Sequence, residues 1–427
     1  MSIESHRLPY PGLRAFDRDE ADLFFGRDGA VDDMVDRLAE TRFLAVLGAS
    51  GTGKSSLVKT GLLDGLELGL HPAGADWTIC TFTPGGKPFR NLAESLFDVQ
   101  GEENLSDDAR ANRVSVLEDF LRRGPRSLDE WFGDGYINEG GNLLLLVDQF
   151  EELFRFGGYT DREDAEAFVK LLIESTSAKD LPVHVVITMR SEFLGACALI
   201  PGLAETMNAG AYLTPRMTRD NCRDAIIGPA RMVGMEIDDV LVTRMLNDLG
   251  AFAPWGGDDT ADQLRRLSRR ADQLPVMQHL LNRLWKQASD RSTNGSVRLI
   301  LADYEELGGL NGALDAHGAE LLSRFDDKTL PLIETVFRAL VDGENPSLAT
   351  RRPQRLSDIA AATVHSSEEI CDIIDVFRAD DCNFLRPGPA HRLEPESVID
   401  ISHESLIRQW SELSEWVAVE GRAAALW

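Results

Sequence analysis

Long apolar runs are missing from this chain. The longest aliphatic stretch is LLLLV at 143–147, far short of the roughly 18 residues that a membrane-spanning helix needs. The first residues, MSIESHRLPYPG, contain no apolar segment of the signal-peptide kind. Cysteine is scarce and unpatterned: Cys80, Cys197, Cys222, Cys371 and Cys382 are odd in number and form no CxxC pair. That argues against a disulfide framework and against a zinc site, and a cytoplasmic location is expected. Positive charge is also in short supply, with 44 Lys+Arg against 71 Asp+Glu and a net charge of −27 with His neutral. Such a surface repels phosphate backbones and anionic lipids, so neither nucleic acid nor a membrane is an expected partner. No internal repeat and no low-complexity tract is found.

What is present is a chain of 427 residues, 43% of them hydrophobic, enough for about two to four domains with real cores. In the first half, apolar runs at 43–47 (FLAVL), 77–82 (WTICTF), 143–147 (LLLLV) and 183–189 (VHVVITM) alternate with helical patterns. That alternation predicts an α/β fold around a parallel sheet, with 211–214 as a fifth strand before Pro215. From 218 to about 320 the apolar residues recur at helical spacing, as in Leu274, Met277, Leu280, Leu281 and Leu284 behind Pro275. The Gly- and Asp-rich stretch APWGGDDT at 253–260 is expected to be a mobile loop. The last hundred residues predict helices at 329–341, 356–362 and after Ser366, where Ser366 and Glu369 have capping-box spacing. A hairpin of 383–386 with 397–401 follows, and a final helix begins near Ser402. Helices followed by a two-stranded wing predict a C-terminal winged-helix domain. The expected division is an N-terminal arm (1–20), a sheet domain (21–216), a helical lid (217–320), a winged helix (321–415) and the start of a C-terminal helix or linker (416–427). That last helix stops with no Gly or Pro beyond it, so the natural chain is expected to continue.

Directly after the first strand stands Gly48-Ala49-Ser50-Gly51-Thr52-Gly53-Lys54-Ser55-Ser56, a GxxxxGK[ST] sequence with a strand before it and a helical pattern after it. Glycines let backbone N–H groups turn inward around phosphates, and the helix N-terminus adds its dipole. Lys54 then reaches the β and γ phosphates, and the Ser55 hydroxyl ligates magnesium. The strand LLLLV runs into Asp148-Gln149-Phe150-Glu151-Glu152, placing carboxylates at a strand end, where ligands and catalytic groups sit. Asp148 is expected to hold magnesium through water, and Glu151, ahead of Glu152, to orient and deprotonate the attacking water. Acidic residues opening the next helix are the alternative for one of the two glutamates. The next strand ends at Arg190, placed to sense a γ phosphate, the alternative being an arginine paired with Glu192 or another carboxylate. Arg27, in DLFFGRD before the first strand, joins the candidate nucleotide-binding set. Phe24 and Phe25 pack near a base if that segment folds over the nucleotide, and are core aromatics otherwise.

The segments PYPGLRAF, LFFGRD, GASGTGKSS, LLLLVDQFEELF, TMRSEF, AIIGPAR, LPVMQHLLNRLW, YEELGGLNGAL and ISHESLIRQW together resemble the STAND ATPases, especially the bacterial novel STAND group, over nearly the whole chain. The resemblance implies a signalling switch that closes around ADP and opens and oligomerises with ATP when a sensor meets its trigger. It places phosphate binding on Gly48 to Ser55, the metal carboxylate on Asp148, the hydrolytic carboxylate on Glu151 and the sensor arginine on Arg190. By the same resemblance Pro229 packs on adenine and His403 touches the ADP β phosphate. Gln149 stands where many relatives carry a second acid, and the histidine motif reads Ser-His-Glu in place of Met-His-Asp. A helix breaker at Pro229 and a capping role for His403 remain the alternatives. With the ATPase starting so early, the sensor or effector is expected C-terminal or on a separate protein. Two other functions stay open. One is an AAA+-like motor or loader, for which no convincing arginine finger is found in the sequence: Arg265, Arg266, Arg269 and Arg270 are candidates but more simply make a solvated helix face. The other is a DNA-binding regulator using the winged helix, supported by Arg351, Arg352 and Arg355 against a net charge of −9 over 320–427.

Overall fold

The computed structural model describes residues 8–101, 105–133, 141–155, 162–177, 182–249, 273–292, 297–343, 349–363 and 365–424. The loop expected at 253–260 and the arginines from 265 to 270 lie outside them. The chain divides into two compact units, one of residues 17–21 and 27–216, the other of 1–16, 22–26 and 217–427.

In the first of these units the apolar runs form strands because only a sheet interior hides them on both faces. They are β1 (Phe43–Gly48), β2 (Trp77–Phe82), β3 (Asn142–Val147), β4 (Val183–Arg190) and β5 (Ala211–Leu213). All five pair in parallel, in the order β2-β3-β4-β1-β5. Every residue of β1, β3 and β4 is buried, while the edge strand β2 is partly exposed. Helices Pro88–Val99 and Arg162–Ser177 supply Phe89, Leu92, Leu96, Phe168 and Leu172 to the core. Register then decides what meets at the carboxyl edge. Gly48 faces Arg190, so β1 and β4 end together, while β3 ends at Val147 beside Ile187, three residues short of that level, and the residues after it turn within the space so left.

The other unit is mainly helical around one continuous hydrophobic core running from Tyr10 to Val417. Its helices include Arg219–Met232, Asp239–Leu249, Gln273–Arg291 and Gly309–Leu322. A parallel pair of two-residue strands, β6 (Glu236–Ile237) and β7 (Arg298–Leu299), interrupts them. Strands that short leave no periodic trace in a sequence. Further on, β8 (Val341–Asp342) pairs with β9 (Thr350–Arg351). Helices Leu330–Ala339, Leu356–Ala361 and Ser367–Phe377 follow the expected positions, the last with the Ser366–Glu369 capping box in place. The expected hairpin is the antiparallel pair β11 (Leu385–Arg386) and β12 (Val398–Ile401), and β10 (Gln354–Arg355) adds a third strand. The final helix begins at Ser405, breaks after Gln409 and resumes at Ser411. Between the two pieces Trp410, fully buried, meets Phe337, Phe377, Phe384 and Trp416.

The basic cluster expected to favour DNA is partly consumed inside this unit. Arg351 is buried, bonded to the carboxylates of Asp400 and Glu404 and to the Ile401 carbonyl. Arg355 pairs with Glu396 at 3.0 Å. A two-strand register that turns Arg351 inward toward β12 cannot be read from the Arg-Arg-Pro-Gln-Arg sequence itself.

Candidate active site at the carboxyl edge of the sheet

The phosphate loop leaves β1 at Gly48 and enters helical residues Lys54–Ser56, Leu57–Leu62 and Leu63–Glu67, which run on without a break, the middle stretch wound as a π-helix. Gly51 and Gly53 sit at φ +77° and +83°, a left-handed conformation that glycine adopts without steric cost. Lys54 Nζ donates to the Gly48 and Ala49 carbonyls at 3.0 and 2.9 Å. Its ammonium therefore reaches back over the mouth of the loop, where phosphate oxygens can replace carbonyls as acceptors. Burial lowers the Lys54 pKa from its ordinary value, and the Glu151 carboxylate opposes that shift.

Asp148 follows β3 directly and is buried. Its Oδ1 accepts hydrogen bonds from the Ser55 hydroxyl at 2.7 Å and the Thr188 hydroxyl at 2.5 Å. Lys59 Nζ lies 4.0 Å from Oδ2. Thr188 also accepts from the Gln149 N–H at 3.0 Å, and its carbonyl takes the Phe150 N–H at 2.8 Å. Gln149 itself stands at φ +56°, a region that non-glycine residues seldom occupy and that marks functional turns. Here it bends the chain sharply after Asp148.

That bend separates the two candidate bases. Glu151, 3% exposed, pairs with Arg190, 7% exposed: Nε donates to Oε1 at 3.1 Å and the Arg190 N–H to Oε2 at 3.3 Å. Glu152 instead turns away and accepts the Gly85 N–H at 3.0 Å. Of the two, Glu151 is the one brought beside Arg190. Arg190, for which the sequence leaves pairing with Glu192 or another carboxylate as the alternative, is buried at the end of β4 and bonded to the carboxylate of Glu151.

Arg27 sits just before helix Asp28–Thr41, with Nη1 donating to the Pro215 carbonyl at 2.6 Å and Nη2 to the Thr52 carbonyl at 2.9 Å. Phe24 packs edge-on against Phe16 with ring centroids 5.7 Å apart, Phe25 lies against Gly228, and both rings are half-buried. Pro229 is buried within helix Arg219–Met232, which starts from a Thr218–Asn221 capping box. His403 precedes the Ser405–Gln409 helix, its Nδ1 accepting the Ser405 N–H at 3.1 Å. That bond assigns the ring proton to Nε2.

Thr188, Lys59 and Gly85 are the participants that sequence reasoning missed. A lone hydroxyl inside the apolar run VHVVITM is the one signal that marked Thr188. Lys59 resembles any helical lysine, and Gly85 any turn glycine.

A nucleotide with magnesium fits these residues. A serine hydroxyl and a carboxylate within 2.7 Å are hard oxygen donors, and magnesium is commonly bound by one or two such groups plus phosphate oxygens and water. Among the described residues no group of three or more His, Cys, Asp or Glu is gathered to hold a metal.

No curated protein matches the chain. Among solved structures it is similar to the Aeropyrum pernix ORC1 protein in complex with DNA, at 14% identity over 100% of both chains and a TM-score of 0.42. It is also similar to the ADP form of the Aeropyrum pernix ORC2 protein, at 11% identity over 95% of this chain and 98% of that one, TM-score 0.46. For the Thermotoga maritima RuvB Holliday junction branch migration motor the figures are 12%, 89%, 95% and 0.34. These likenesses carry no part of the assignment. It rests on the family model described as novel STAND NTPase 1, which matches residues 9–427, and the chain belongs to that family of nucleoside triphosphatases.

Proposed function

We propose that this NTPase is a nucleotide-operated signalling switch that binds ATP or ADP with magnesium. ADP holds a closed form, ATP favours opening and self-assembly, and slow hydrolysis resets the cycle. The observation that carries this reading is the buried Glu151–Arg190 pair. A carboxylate already bonded twice by Arg190 has to be released before it can take a proton from water, which supports a slow, regulated rate. Phosphate falls to Gly48, Ala49, Ser50, Gly51, Thr52, Gly53, Lys54, Ser55 and Ser56, and the cation to Ser55 and Asp148. Arg190 senses the γ phosphate, Pro229 serves adenine and His403 the β phosphate of ADP. Adenine is favoured over guanine because no NKxD base-reading motif occurs in the sequence. The three-stranded sheet β10-β12-β11 with its neighbouring helices supports a winged helix in the closed form. The setting we favour is bacterial defence or regulation, with a sensor or effector supplied C-terminally or by a separate protein.

Glu151→Gln tests the reading. It should bind a fluorescent ATP analogue as the wild type does while turnover falls by about 100-fold, the lower range for a general base. An unchanged rate would move the role to Glu152.

A further inference from the structure

The chain crosses between the two compact units at 16/17 and 21/22, passes outward at 26/27 into the long stretch 27–216 and returns at 216/217. Arg27 is the first residue after the outward crossing, and Pro215 lies two residues before the return. On the sheet side of the junction the Arg27 guanidinium, 8% exposed, bonds the Pro215 carbonyl and the phosphate-loop carbonyl of Thr52. The sheet reinforces this tie, because Thr214 N–H donates to the Leu47 carbonyl at 2.8 Å, one residue before the loop. On the other side Gly26, at φ +84°, lies so close to helix Arg219–Met232 that a Cβ there would come within 2.4 Å of the Asn221 carbonyl.

Peptide geometry gives the Thr52 bond its consequence. In a trans peptide the C=O and the following N–H point in opposite directions. Holding the Thr52 oxygen toward Arg27 therefore aims the Gly53 N–H away from it. Among the described residues that N–H meets no acceptor, which leaves it for a phosphate. A phosphate that rotates the 52–53 peptide moves the oxygen that Arg27 grips, and the same planar fork grips Pro215. Lysine cannot reproduce this, since it offers a single ammonium where arginine offers two rigidly spaced donors.

We infer that Arg27 is a positioning residue that couples the phosphate loop to the return crossing, so that loop occupancy is read at residues 211–218. This deepens the proposed switch and rests on nucleotide binding at the loop. Hydrogen exchange read by mass spectrometry on the full chain, with and without Mg·ADP and a non-hydrolysable ATP analogue, tests it. In the wild type, nucleotide should protect the loop peptide 48–56 and shift exchange at 211–218. In Arg27→Lys and Arg27→Gln the loop should still be protected at saturating nucleotide while the response at 211–218 is lost. The lysine variant retains the charge, which guards against a failure to fold. A response at 211–218 equal to wild type in either folded variant, or no response there in the wild type, overturns the coupling. Absence of protection at 48–56 in the wild type would instead overturn nucleotide binding itself.

Discussion

The two edges of the five-stranded sheet treat buried polar groups in opposite ways. At the carboxyl edge Asp148, Glu151 and Arg190 are buried and partnered: Asp148 accepts from the Ser55 and Thr188 hydroxyls, and Glu151 accepts from Arg190 as its ion-pair partner. At the amino edge His184, the second residue of β4, meets His71 and Trp77 with ring centroids 4.9–5.2 Å apart. There His71 Nε2 and His184 Nδ1 are buried with no hydrogen-bond partner among the described residues. Burial lowers the pKa of both histidines, and that of His184 falls to about 4 with His71 and Arg42 adding to the effect. One edge spends stability to keep charges in place, and the other stays neutral. Buried charge on this sheet therefore marks the working edge, because it persists only where a network holds it.

Breaking a network at the carboxyl edge should have the largest effect. Arg190→Ala leaves the Glu151 charge buried without its partner and should cost about 3–5 kcal/mol in urea unfolding. A loss below about 1 kcal/mol would show that the pair is solvated. Lys54→Ala should weaken nucleotide binding by roughly 100-fold, in line with the loss of charge-assisted hydrogen bonds worth about 3 kcal/mol, and equilibrium titration checks it. At the amino edge the prediction concerns pH. His184 has a folded pKa below its unfolded value of 6.5, so the unfolded chain takes up the proton first as pH falls. Its contribution is complete above pH 6.5 and is lost between there and about pH 4. His317, lowered to about 3, and His279 act with the same sign in the other unit. The effect is therefore read as a difference. His184→Phe should flatten the acid limb of the stability curve by on the order of 2–3 kcal/mol while leaving nucleotide affinity unchanged. The smallest effect belongs to Glu152→Gln, which loses one charge-assisted bond to Gly85 and should cost about 1 kcal/mol with less than threefold change in turnover. A drop as large as that of Glu151→Gln would exchange their roles.

The working edge was legible in the sequence as far as single strands carry information. The apolar runs located β1, β3 and β4, and the motifs after them located Lys54, Ser55, Asp148, Glu151 and Arg190. What joins these residues was not legible, because it depends on register between strands. Thr188 reaches Asp148 across 40 positions only because Val147 pairs with Ile187. The positive φ of Gln149, which turns Glu151 toward Arg190 and Glu152 toward Gly85, has no signature in a residue that is not glycine. In the other unit the capping box at Ser366 was plain from spacing, whereas β6 to β10, two residues each, were too short to show a period. The inward turn of Arg351 depended on that same short register.

The central claim is that a nucleotide occupies the phosphate loop as part of a resting state. Denaturing the purified protein and identifying what it releases tests this most directly. The account predicts close to one ADP per chain. An empty site combined with rapid, unregulated ATP turnover would contradict it.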